Sequence, residues 1–210
     1  MKHEHIKTEI TPADTRYVPL QQQPYCCVPT CIQMIMLRHH IPLRPAEEIG
    51  AHMGLIVPPE DAVFFYNPAI SETRPTNGYG SAHLVNEATH PNHAFISLGI
   101  PLHMHEERIN NFADTESFKH RIKEIISQDL DALICLRWAD LIDKSTLIEP
   151  VDMLSGHVIV IDQFTSDNTL RVMDPARGAK WREFSIDALY RATHAHTAEK
   201  GAGLWIFQKK

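Results

Sequence analysis

The chain reads as an α+β protein, with helices gathered early and strands gathered late. Three observations point there. The run Cys31, Ile32, Met34, Ile35, Met36, Leu37 has helical spacing and is apolar almost all round. Short β-branched runs bounded by turn residues fill the last third, Val158-Ile159-Val160-Ile161 above all. Between them, residues 54–80 hold Pro58, Pro59, Pro68, Pro75, Gly78 and Gly80 and read as a long loop.

The elements follow in order. Residues 1–17 form a polar lead-in. A first helix is expected over 28–39, with Pro29 in its first turn, where proline gives up no needed N–H. A second, over 45–53, opens on Pro45-Ala46-Glu47-Glu48. The 54–80 loop follows, and long loops of this kind often line active sites. A third helix is expected over 81–89 and a short strand over 102–105. Residues 115–128 make an amphipathic helix with Phe118, Ile122, Ile125 and Ile126 on one face. A strand over 132–137 leads into a loop reaching Leu154. Then comes a β-hairpin, 157–161 with 170–173, joined by Thr165-Ser166-Asp167-Asn168. A strand at 181–184, a short helix at 186–191 and a strand at 204–207 complete the chain. One domain spanning 1–210 suits this length.

Composition narrows the function classes. Hydrophobic residues at 43% and charged residues at 22% are ordinary for a soluble protein. A net charge of −6 argues against a general nucleic-acid binder, which carries a basic footprint. No apolar run approaches the ~18 residues that span a bilayer. The N-terminus is polar and has no signal-peptide core, so a cytoplasmic protein is expected, with export without a cleaved signal left open. Four unevenly spaced cysteines do not form a disulfide framework, and a reduced state fits them best.

Chemistry concentrates at the two ends. Gln21-Gln22-Gln23-Pro24-Tyr25-Cys26-Cys27-Val28-Pro29-Thr30-Cys31 puts Cys27 at a helix N-terminus, where free N–H groups and the helix dipole favour a thiolate. Far downstream, Gly156-His157 opens one hairpin strand and Met173-Asp174-Pro175 closes the other, so antiparallel pairing brings His157 and Asp174 to one end. Glutamine, cysteine, histidine and aspartate in that order can supply an oxyanion donor, a nucleophile, its base and the base's orienter. Each also has a plain structural role. Free cysteines are usually buried small hydrophobes, a strand-end histidine is often just satisfied, and Asp-Pro commonly begins a turn.

Other chemistries have weaker support. Cys27 and Cys31 with His39 and His40 lack the paired spacing of zinc sites, and Cys31 reads as core. His103 and His105 share one strand face and read as solvated. Gly78-Tyr79-Gly80-Ser81 lacks the Walker spacing and lysine, and no Gly-x-Ser-x-Gly elbow occurs. No cofactor or metal is expected.

These residues resemble the papain-like cysteine peptidases, and most closely the bacterial group related to the peptidases that trim double-glycine leaders from bacteriocins (cysteine peptidase family 39-like). That group shows a glutamine, a Cys-Gly-Pro-Thr-like turn opening a helix, then a Gly-His-hydrophobic strand and an Asp-Pro. The resemblance assigns Gln21 to the oxyanion hole, Cys27 as nucleophile, His157 as general base and Asp174 as orienter. The 130 residues from Cys27 to His157 fit papain-type spacing. Asn77-Gly78-Tyr79-Gly80-Ser81 and the stretch to His90 resemble the group's Gly-Thr/Ser-helix segment. The likeness covers about residues 18–208, with its strong motifs at the two ends.

Three departures stand out. Val28 replaces the usual glycine and is expected to crowd a bound carbonyl. Cys26 precedes the nucleophile and competes with it. Three consecutive glutamines leave open which faces the oxyanion, with Gln21 alone at the six-residue spacing. The resemblance implies a papain-like fold, its nucleophile helix packed on a C-terminal antiparallel sheet. The implied activity is hydrolysis of a peptide or amide bond through a thioester. An acyltransferase or transpeptidase on small peptides or thioesters, and a non-catalytic peptidase-like binding domain, are the alternatives.

Overall fold

The computed structural model describes residues 14–75, 78–81, 87–141, 156–176 and 178–210. In chain order the elements are α1 (Cys27–Arg38), α2 (Ala46–His52), β1 (Leu55–Val57), β2 (Ala69–Ile70), β3 (Gly80–Ser81), α3 (Pro91–Leu98), β4 (Leu102–Arg108), α4 (Thr115–Ser127), β5 (Asp131–Arg137), β6 (Gly156–Ser166), β7 (Thr169–Asp174), β8 (Lys180–Ser185), α5 (Ile186–His196) and β9 (Gly203–Lys209). The architecture is mixed helix and sheet. Six strands pair antiparallel throughout, in the order β4-β9-β5-β6-β7-β8. A second, small sheet has the order β2-β1-β3.

Helices cover both faces of the large sheet, which the expected packing of an early helical part on a late sheet did not include. On one face α1, α2 and α3 meet Leu133, Cys135, Val158, Val160 and Met173. On the other, α4 and α5 meet Ile134, Leu136, Ile159, Ile161 and Val172. Double cover explains why β5 and β6 read as continuous apolar runs, since alternation appears only when one face is wet. α1 is the most enclosed helix: Ile32, Met34, Ile35 and Met36 are all fully buried. At roughly 1.5–3 kcal/mol for each large apolar side chain buried, this packing holds the helix in place.

Two expectations change. The 54–80 stretch is not only loop. It contains β1, a 3₁₀ turn at Pro59–Phe64, β2 and β3. The helix expected over 81–89 lies partly outside the described residues, and Glu87–Thr89 is a 3₁₀ turn. The helix of this region is α3 instead. Its signals were in the sequence: Pro91 at the first helical position and Gly99 at the end, where φ is 65°. His90 caps it, its ring nitrogen accepting from the Asn92 N–H. The lead-in also does more than expected, because Tyr17 is buried in the core. Among the described residues, no helix is long and apolar enough to cross a membrane.

A buried carboxylate ties α1 to the sheet. Asp131, at the start of β5, accepts hydrogen bonds from the Tyr17 hydroxyl at 2.6 Å and Arg38 Nη1 at 2.6 Å, and meets His39 Nε2 at 2.5 Å. Removing one member of such a network strands buried charge, which costs about 3–5 kcal/mol. Asp131→Ala is therefore expected to lower unfolding free energy by about that much. Urea denaturation followed by circular dichroism checks this, and a loss under about 1 kcal/mol would show that the network does not anchor the helix.

Candidate active site

A turn and a helix start separate two adjacent cysteines. Tyr25 adopts a left-handed backbone, with φ of 66°, in the Pro24-Tyr25 turn. A non-glycine residue held there is strained and needs strong surroundings. Tyr25 has them, with its hydroxyl donating to Asp61 at 2.6 Å and its ring set against Phe65 and Tyr79. The turn sends Cys26 inward against Leu55 and Val57, fully buried, and leaves Cys27 half-buried at the first helical position. Cys31 lies one turn further on, on the same face, and its thiol meets the Val158 carbonyl oxygen at 3.6 Å. That contact seats α1 against β6, so Cys27 falls beside the strand's first residues.

The four thiols differ in environment. Burial pushes Cys26 up to about 12 and drives Cys31 and Cys135 well above the usual thiol range. Those three are held protonated in the core. Cys27 is the thiol that meets a histidine, and its hydrogen bond and charge are among the influences that raise His157. Val28 turns into the core and is buried, so its side chain does not crowd the surface at Cys27 as expected.

His157 and Asp174 meet, by a register the hairpin pattern did not specify. Val160 pairs with Met173, which places Asp174 opposite Ile159, two residues in from His157. The pair is therefore diagonal on one face, within reach of long side chains. His157 Nε2 lies 2.9 Å from Asp174 Oδ1. The bond to Asp174 takes Nε2, which leaves Nδ1 for the thiol. Burial works against a charged His157, but the hydrogen bonds to Asp174 and Cys27 and their negative charges outweigh it, and its pKa is raised to about 10. Burial likewise opposes ionised Asp174. The hydrogen bond and charge of His157, then Arg182 and the Ala176 N–H, hold it below the usual carboxylate range.

Three neighbours of this pair went unread in the sequence. Arg182 Nε donates to the second oxygen of Asp174 at 2.7 Å, while the Ala176 N–H donates to the first at 2.9 Å. Trp138 lies against His157 with ring centroids 4.7 Å apart, and the Arg182 guanidinium sits over the same indole at 5.2 Å. His196, buried on α5, occupies the space beside Gly156, where an added Cβ would lie 2.5 Å from its Nε2. Burial, with the charges of Lys200 and Arg137, lowers His196 to about 4 and keeps it neutral. The glycine ahead of His157 is thus a packing requirement. Arg182, in the middle of β8, and Trp138, in the turn after β5, carried no sequence signal of their own.

The glutamines lie across the segment that follows Asp174. The Gln22 N–H donates to the Pro175 carbonyl at 2.8 Å, and the Gly178 N–H donates to Gln21 Oε1 at 3.1 Å. An N–H can meet only the amide oxygen, so Gln21 Nε2 is left as the free donor end. Gln22 Oε1 is buried without a hydrogen-bond partner among the described residues. Gln23 and Pro24 instead line a cleft of about 340 Å³ with Asp61, Phe64 and Phe65. His103 and His105 are both exposed on β4, and among the described residues no group of three or more metal-ligating side chains converges.

No family model matches the chain, and no curated protein matches it in sequence. Among solved structures it is similar in fold to a candidate C39-like peptidase from Bacillus anthracis. The two share 13% identity at a TM-score of 0.51, over 92% of this chain and 94% of the other.

Two outcomes follow from this geometry. A histidine raised from 6.5 to about 10 stabilises the fold fully below pH 6.5 and loses that contribution as pH climbs toward 10. Asp174, depressed from 3.8, contributes above that value and is lost as pH falls through its folded pKa. Urea midpoints of wild type and His157→Gln are therefore expected to differ most near pH 5–6 and to converge by about pH 10–11. A difference that stays constant with pH would mean that His157 is not held as imidazolium. Separately, Gly156→Ala is expected to cost about 1–3 kcal/mol through overpacking, and much less in a His196→Ala background. Thermal melts of the four proteins measure that coupling, and additive losses would exclude the His196 contact as the cause.

Proposed function

We propose that the protein is a papain-like cysteine peptidase-type hydrolase that cleaves a peptide or amide bond through a thioester. The observation that carries this reading is a buried His157 held at Nε2 by Asp174 at 2.9 Å, with the half-buried Cys27 near enough to raise its pKa. The fold shared with the Bacillus anthracis C39-like candidate agrees with it.

In this mechanism, His157 Nδ1 takes the Cys27 proton, and the thiolate attacks the substrate carbonyl carbon. Gln21 Nε2 and the Cys27 N–H, which has no intrahelical acceptor at the first helical position, donate to the developing oxyanion. Each donor of this kind is worth about 3 kcal/mol in the transition state. Collapse of the intermediate breaks the C–N bond, and the His157 Nδ1–H protonates the departing amine. His157 then takes a proton from water, which attacks the thioester carbonyl and releases acid product and free thiol. Asp174 keeps the ring oriented and favours its cationic form. Arg182 and the Ala176 N–H hold the carboxylate still, and Trp138 shields the His157–Asp174 bond from water.

Cys27→Ala is expected to abolish turnover and alkylation by iodoacetamide near neutral pH, while Cys26→Ala and Cys31→Ala keep most of both. Loss in Cys26→Ala instead would move the nucleophile by one residue. His157→Ala should be nearly as damaging as Cys27→Ala. Asp174→Asn should lose far less than the roughly 10⁴-fold of serine triads, because an amide can still orient the ring. The wild-type pH–rate profile should be a bell whose acidic limb reports the thiolate–imidazolium pair as a unit. A wild-type profile in His157→Ala would assign the base elsewhere. Product that forms only with an added amine acceptor would make the protein a transferase.

A further inference from the structure

An apolar surface with acidic edges adjoins Gln23 and Pro24, just ahead of Cys27. The segment from the Pro59–Phe64 turn to β2 exposes large hydrophobic side chains in close succession: Val63 is 82% exposed, Phe64 73%, Tyr66 65% and Ile70 60%. Soluble proteins seldom leave such side chains clustered in water unless something covers them. The surface is also shaped. Phe64 and Phe65 wall the cleft of about 340 Å³ that ends on Gln23 and Pro24, and Tyr66 walls a second, of about 260 Å³, with Pro45, Glu47 and Glu48.

The charged residues that line the two clefts, Asp61, Glu47 and Glu48, are all acidic. Glu47, Glu48 and Glu60 form no ion pair among the described residues, and Asp61 is bound only by the Tyr25 hydroxyl. These carboxylates act on the nucleophile turn itself. After burial and the charge of Cys27, Glu47 adds to the raising of Cys26. Burial, then Asp61 and Glu60, raises the Tyr25 hydroxyl. Unpaired carboxylates around an apolar cleft are complementary to cations placed beside apolar side chains.

Resting on the function proposed above, we infer that this face docks the substrate, and that the substrate is a peptide carrying aromatic or aliphatic residues interleaved with lysine or arginine. Its apolar side chains fill the two clefts along Phe64, Phe65 and Tyr66. Its cations lie against Glu47, Glu48 and Glu60. The chain then runs over Gln23 and Pro24, which line the first cleft, toward Cys27.

The test is binding to the full-length Cys27→Ala protein, in which no turnover intervenes. Three fluorescein-labelled twelve-residue probes are compared by anisotropy: alternating Leu/Lys, alternating Leu/Glu and alternating Ser/Lys. The Leu/Lys probe is expected to bind at least tenfold more tightly than either of the others, with salt weakening it. Phe64→Ser/Tyr66→Ser, at positions too exposed to unfold the chain, should remove that advantage. Glu47→Lys/Glu48→Lys should shift preference toward the Leu/Glu probe. Equal or tighter binding of Leu/Glu by the parent, or unchanged Leu/Lys affinity in Phe64→Ser/Tyr66→Ser, would overturn the inference. Iodoacetamide labelling of wild-type Cys27 separates the two proposals. An inert Cys27 sinks the hydrolase reading and this inference with it. A reactive Cys27 with no Leu/Lys preference sinks this inference alone.

Discussion

Burying the carboxylate of Asp174 constrains everything around the candidate site. A buried carboxylate has to be paired and hydrogen-bonded or it loses its charge. Asp174 is met by His157 from β6, by Arg182 from β8 and by the Ala176 N–H from its own following turn. Those three bonds fix one end of three neighbouring strands. Close after Asp174 in the chain, the Pro175 carbonyl and the Gly178 N–H hold Gln22 and Gln21. The start of α1 is thus positioned partly by a carboxylate almost 150 residues away in sequence.

Two further buried aspartates work in the same way on the other side of the helix. Asp131 gathers Tyr17, Arg38 and His39. Asp162 accepts from the Arg16 N–H at 2.9 Å and from Arg171 Nε at 2.5 Å. Both draw the segment before α1 onto β5 and β6, so the helix is held at its start by the Asp174 network and at its end by the Asp131 network. Such networks add little net stability compared with apolar packing, but they tolerate only one arrangement. That is the property a site needs when a thiol and an imidazole must stay in register.

The contrast between Cys26 and Cys27 comes from the same economy of space. The left-handed turn at Tyr25 rotates one cysteine into the apolar wall of the small sheet and the next toward His157. Phe65 packs against the same wall, so the strained turn joins the start of α1 to the apolar, acid-edged face. Gly156 has a parallel role at the other partner. Because His196 fills the space its Cβ would take, β6 begins close against α5, and His157 leaves the strand in a restricted direction.

Much was legible in one dimension because it depends on local chemistry. Helical spacing with Pro29 located α1, and β-branched runs located β5, β6 and β7. Of the glutamine, cysteine, histidine and aspartate picked out by their order, His157 and Asp174 meet, with Cys27 beside them. Double cover of the sheet was also written in the unbroken apolar runs of β5 and β6, and α3 in its proline and glycine ends. Register, pairing partners and burial were not. Whether His157 faces Asp174 directly or diagonally depends on the offset that pairs Val160 with Met173. Whether Arg182 is a surface charge or a clamp depends on β8 lying beside β7. Which of Cys26 and Cys27 points into the core depends on one backbone angle at Tyr25. The sequence by itself determined which residue types were available and which elements carry them, because propensity and periodicity act over a few neighbours. Tertiary structure alone decided which of them touch, because desolvation and ion pairing act between segments distant in the chain.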